Sequence, residues 1–152
     1  MPDIQSTMEI TAEEMQYFGL IERDLIEIFS TFTPIGLWRI DLDSGHKFCC
    51  RSYCKLFGLT YTPGPVNMIE LTSHIHPEDL SNVMASQEAA SVQRMSYQKV
   101  HRATADGINY RYICSIGRFR EKPGTSGEII GVAYEVPPHR CEFRYETETP
   151  SA

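Results

Sequence analysis

Three strand-like segments in a row, in the second half of the chain, constrain the fold more than any other feature. Residues 96–104, 108–121 and 128–136 carry the β-branched and aromatic residues that strands favour. They are separated by Ala105-Asp106-Gly107 and by a Pro- and Gly-containing loop over residues 123–127. Turn residues between such runs close antiparallel hairpins. Further upstream, Gly36-Leu37-Trp38-Arg39-Ile40-Asp41-Leu42 alternates, Asp43-Ser44-Gly45 marks a turn, and His46-Lys47-Phe48-Cys49-Cys50 returns. Two early strands and three late ones predict an α+β fold: one five-stranded antiparallel sheet with short helices on one face.

The stretch between the two groups of strands supplies the helices. Tyr53, Leu56 and Phe57 lie at helical spacing and stop at Gly58, a favoured C-terminal cap. Met68, Ile69, Leu71 and Ile75 predict a short helical turn. His76-Pro77-Glu78-Asp79 opens a longer helix to about Gln93, with proline in its first turn and two acids at the positive end of its dipole. At the front of the chain, Thr11-Ala12-Glu13-Glu14 has the form of a capping box. Met15, Phe18, Ile21, Leu25, Ile28, Phe29 and Phe32 then recur at three- and four-residue steps. That spacing predicts one amphipathic helix over residues 11–33, about five turns long, ended by Pro34. The organisation expected is a flexible leader (1–10), this helix, a domain over 34–136, and a polar tail (137–152) that begins at Pro137-Pro138.

Composition narrows the function. The net charge of −6 argues against nucleic acid as a main partner, because phosphate binding needs a basic face. No apolar run approaches the roughly 20 residues that span a bilayer. The first residues lack the basic and apolar regions of a secretory signal. Five cysteines, an odd number without an export signal, read as reduced thiols in a cytoplasmic protein.

The residues also carry a resemblance. Gly36 to Gly45, with Trp38, Asp41 and Ser44, is similar to a "G-x-W-x-x-D-x-x-T/S-G" strand and turn. Leu56-Phe57-Gly58 matches an "LFG" helix end, and His76-Pro77-Glu78-Asp79 matches "HPDD". Tyr97, Arg102, Asp106-Gly107 and Arg111-Tyr112-Ile113 follow in the order "Y…R…DG…RWV", and Gly131-Val132-Ala133-Tyr134-Glu135-Val136 matches "GvxxDIT". Each motif alone is weak; in order over residues 34–136 they resemble PAS domains of the subgroup called PAS fold 3. The resemblance implies a sensor or protein-interaction module in signal transduction, without catalysis, that encloses a small apolar pocket and works through dimer contacts or a signalling partner. One departure stands out. The closing acid is present as Glu135, but the threonine is not, and Pro137-Pro138 bars a continuous exit helix. The signal is therefore expected to leave through the sheet face or the N-terminal helix. No kinase, cyclase or DNA-binding segment follows, which leaves a stand-alone sensor or one module of a larger protein.

The candidates to line a ligand pocket are Ile40, Phe48, Phe57, Ile69, Leu71, Ile75, Val83, Val100 and Cys114, set against the ordinary reading of such positions as closed core. His74 and His76 form an H-x-H pair, for which a capping or turn role outweighs metal ligation. Haem needs an axial ligand in the pocket. The long helix has no histidine, and His101 lies on a strand whose face the sequence leaves open, so no cofactor is expected, with haem the alternative. Cys49, Cys50 and Cys54 lack a second ligand pair for zinc, and no metal site is expected. Gly124-Thr125-Ser126-Gly127 lacks the lysine of a phosphate loop, and Asp41 and Asp43 read as a solvated turn. The alternative function is a small cone-like α+β enzyme, isomerase- or hydrolase-like, with Asp41 or His101 as its acid–base group. Finally, Phe18, Ile21, Leu25, Ile28, Phe29 and Phe32 are too apolar for a solvated helix. The late strands are apolar on both faces, so a homodimer built on these residues is expected.

Overall fold

The computed structural model of the protein describes residues 9–138 and 143–146. The chain divides into two compact units between Thr33 and Pro34. All but Glu9 and Ile10 of the expected leader lies outside the described residues.

The N-terminal unit holds two helices where the spacing predicted one: α1 (Ala12–Phe18) and α2 (Glu22–Phe29). The capping box forms as read, with Glu14 N donating to Thr11 Oγ1 and Thr11 N donating to Glu14 Oε2, each at 3.1 Å. The break has a local cause. Gly19 adopts φ 70° and caps α1 in the left-handed conformation, which glycine reaches at no steric cost. Ile21 N then donates to Asp24 Oδ2 at 2.8 Å, starting α2 afresh. The apolar period runs through the break because both helices are amphipathic, so periodicity alone did not reveal it.

The second unit contains β1 (Ile35–Asp41), β2 (Lys47–Cys49), α3 (Arg51–Phe57), α4 (Met68–Ser73), α5 (Pro77–Gln93), β3 (Ser96–Ala103), β4 (Arg111–Arg120), β5 (Glu128–Val136) and β6 (Phe143–Glu146). All pairings are antiparallel and the strand order is β2-β1-β5-β4-β3-β6. The five expected strands are present. β6 is a sixth, within the stretch read as a polar tail; its backbone pairs with β3 from Ser96↔Glu146 to Lys99↔Phe143. The two prolines end β5, and an edge strand of four residues leaves too short an alternation to be legible.

Alternation assigns the two sheet faces. Trp38, Ile40, Tyr97, His101, Ile113, Ile129 and Ala133 are buried on the face that meets the helices, and Tyr53, Phe57 and Leu71 close over them. Helix α5 is stitched to β3 at its start. His76 N donates to Arg102 O at 2.9 Å, Thr104 N donates to His74 O at 2.8 Å, and buried Asp79 accepts from Arg102 N and Nε at 2.8 and 3.0 Å. Among the described residues, no helix is long and apolar enough to cross a membrane.

Candidate ligand site

The face where sheet and helices meet does not close completely. A cavity of about 290 Å³ lies between β1–β4 and α3–α5, at the small end of the range for ligand sites. Five of the nine sequence candidates line it: Phe57, Ile69, Leu71, Ile75 and Val83. The other four do not. Ile40 sits in the closed core. Phe48 pairs with Arg39 on the opposite face, under the Arg39 guanidinium at 4.5 Å. Val100 and Cys114 face each other in register on that opposite face as well.

The errors on β3 and β4 share one cause. Apolar residues were chosen for an apolar pocket, but at these positions the inward parity belongs to polar side chains: Lys99 and His101 on β3 and Ser115 on β4, with Lys47 on β2. A register slip of one reverses the faces, and the sequence gives no sign that lysines point inward. The one available signal was the parity itself, since Tyr97, Lys99 and His101 share a face and Tyr97 was a motif residue.

The two lysines are buried, at 4% and 3% exposure for Lys47 and Lys99. The Lys47 ammonium lies 4.7 Å from the Trp38 ring centre and 5.1 Å from that of Tyr53; the Lys99 ammonium lies 5.1 Å from that of Tyr97. Burial lowers the Lys47 proton affinity to about 8. Burial also lowers that of Lys99 well below its ordinary value, helped by the Lys47 charge. His101 is pushed to about 3 by burial and then by Lys99, which keeps the imidazole neutral. Its ring stacks near Phe57, centres 6.1 Å apart. Among the described residues, His101 Nδ1 and Trp38 Nε1 have no hydrogen-bond partner.

The remaining sequence candidates serve the backbone. His76 Nδ1 accepts from Glu78 N at 3.1 Å and caps α5, and His74 Nδ1 donates to Thr104 O at 2.7 Å. The capping role read for His76 is thus present, and His74 fastens the same junction. Asp41 accepts from Asp43 N within its turn at 2.9 Å, and Asp43 accepts from Ser126 N at 3.2 Å. Asp41 does not reach the cavity; His101 does. No group of three or more metal-ligating side chains occurs among the described residues.

This arrangement of sheet and helices recurs in solved structures. A sensory box histidine kinase/response regulator from Burkholderia thailandensis matches with a TM-score of 0.58 at 23% identity, over 76% of this chain and 85% of that one. This is the PAS fold. The N-terminal domain of a diguanylate cyclase with PAS/PAC sensor from Marinobacter aquaeolei matches at 0.56 and 17% identity, over 66% and 94% of the two chains. A domain ascribed to a light and redox sensing histidine kinase of Haloarcula marismortui matches at 0.59 and 20%, over 76% and 100%. No protein-family model and no curated protein sequence matches. The PAS topology bears out the fold read from the motifs and does not favour the cone-like enzyme. The family's closing acid also finds a partner here: Glu135 accepts from Arg111 Nη1 at 3.0 Å.

Proposed function

We propose that this chain is a sensory signal-transduction module, in which a small molecule in the cavity shifts how α3–α5 pack on the sheet and two copies of the chain report the shift. The observation that carries the reading is the partly enclosed cavity, placed where the PAS fold brings sheet and short helices together. Ligands bias such domains by binding one packing arrangement better than another. The matched structures are sensor domains of larger signalling proteins, which supports a binding module in place of a catalyst. Phe18, Phe29 and Phe32 are 70%, 71% and 97% exposed, which supports an interface between copies at the N-terminal helices. Leu37 and Ile116, on the outer sheet face, are also exposed. The free thiols of Cys49, Cys50, Cys54 and Cys114 support a cytoplasmic location.

The test is native mass spectrometry after incubation with a small-molecule extract of cells. A mass adduct is expected on the wild-type chain and its loss is expected in Val83→Trp, which fills the cavity. An adduct that persists in the variant, or none on either chain, contradicts the reading.

A further inference from the structure

We infer that the cavity takes a small carboxylate with an apolar body, its charged end held by Lys47 and Lys99. The inference rests on the cavity being the ligand site. Its starting point is a charge imbalance inside the fold. Both lysines line the cavity, both are buried, and none of the described residues lining it is acidic. Among the described residues, the buried acids are already engaged: Asp79 with Arg102 at 2.9 Å, and Glu128 with Arg39 at 3.4 Å and with Arg120.

A buried ammonium without an anion is costly, and a nearby aromatic face offsets only part of that cost. Trp38, Tyr53 and Tyr97 supply those faces, and among the described residues lining the cavity there is no carboxylate. An anionic ligand would supply what the protein omits, and the lowered proton affinity of the lysines is the strain it would relieve. The rest of the wall selects the other half of the molecule. Ile69, Leu71, Ile75, Leu80, Val83 and Met84 offer an apolar surface. A bare inorganic anion would leave that surface unfilled, and a neutral hydrocarbon would leave the lysines unpaired.

The experiment uses three probes of one chain length, octanoate, octan-1-ol and octylamine, titrated calorimetrically into the full chain at pH 7. Octanoate is expected to bind about tenfold or more tightly than octan-1-ol, the ratio that one charge-assisted hydrogen bond supplies, and octylamine most weakly. Lys47→Met and Lys99→Met, which keep the side-chain length and remove a buried charge, are each expected to weaken octanoate about tenfold and to leave octan-1-ol nearly unchanged. Thermal unfolding of both variants checks that they fold. Equal binding of octanoate and octan-1-ol, or lysine variants that bind octanoate like the wild type, would overturn the carboxylate and leave the ligand site standing. Absence of binding by any probe would overturn both.

Discussion

The rings of Trp38 and Tyr97, from strands separated by two others, lie with their centres 6.4 Å apart across a pair of glycines. Gly131 is in register with Trp38, Gly117 with Tyr97, and the two glycines with each other. Four strands therefore present one row, aromatic-glycine-glycine-aromatic, and the large side chains fold inward over the small ones. Lys47 lies against the first ring and Lys99 against the second, and both lysines line the cavity together with Trp38.

A methyl group at Gly131 has no room. An added Cβ would lie 2.3 Å from both the Ile116 carbonyl oxygen and Trp38 Cζ2. Gly131→Ala is expected to destabilise the chain by about 2 kcal/mol, the usual cost of overpacking, and to change the emission of Trp38. Urea unfolding followed by tryptophan fluorescence measures both; an unchanged midpoint contradicts the close packing.

His101 makes stability depend on pH. Its folded value of about 3 lies below the unfolded value of 6.5, so between them the unfolded chain binds a proton that the folded chain does not. The contribution is fully present above pH 6.5 and is lost as pH falls towards 3. Between pH 7 and 5 it amounts to about 2 kcal/mol. The urea midpoint is expected to fall over that interval in the wild type and to fall much less in His101→Phe. Parallel pH profiles for the two proteins would show that His101 is not held neutral.

Asp79 ties α5 to β3 through Arg102. Burial pushes its carboxyl up, but the hydrogen bonds and charge of Arg102 outweigh this and hold it below the ordinary carboxylate value. Removing one partner of such a pair leaves the other uncompensated. Asp79→Ala is expected to cost about 3 kcal/mol, and Arg102→Leu on that background little more. Chemical denaturation of the four proteins of the cycle checks this; additive losses would mean that the pair is not coupled.

The N-terminal unit is expected to make the dimer. Light scattering should give twice the 17.3 kDa chain mass for the full protein. A chain beginning at Pro34 should give the monomer mass. A dimer that survives the deletion moves the interface to the sheet.

What could be read from the sequence follows from how each feature is encoded. The five main strands, α3 to α5 and the cap at Thr11 are written locally, in alternation, spacing and turn residues, and they were legible. The break at Gly19 was not, because amphipathic spacing continues across it. β6 was not, because it follows two prolines and is four residues long. Within the site, the helix residues Phe57, Ile69, Leu71 and Val83 were found by their apolar periodicity, and Ile75, next to α4, with them. Lys47 and Lys99 were missed because hydrophobic pattern assigns charged residues to the solvent face, a rule that functional sites break; His101 was named as a candidate with its face left open.

The most direct test of a cationic cavity is the proton balance of binding. At pH 8.5 a Lys47 that titrates near 8 is mostly neutral, and burial holds Lys99 well below its ordinary value too. The other titratable groups facing them stay neutral: His101 at about 3, Cys49 pushed up to about 12 by burial, and Tyr53 raised well above 10.0. Octanoate bound between the lysines should therefore draw protons onto them. Calorimetric titration of octanoate at pH 8.5, in two buffers of different ionisation enthalpy, is expected to show uptake on the order of one proton per octanoate bound. Heats that are the same in both buffers would contradict a carboxylate held by Lys47 and Lys99.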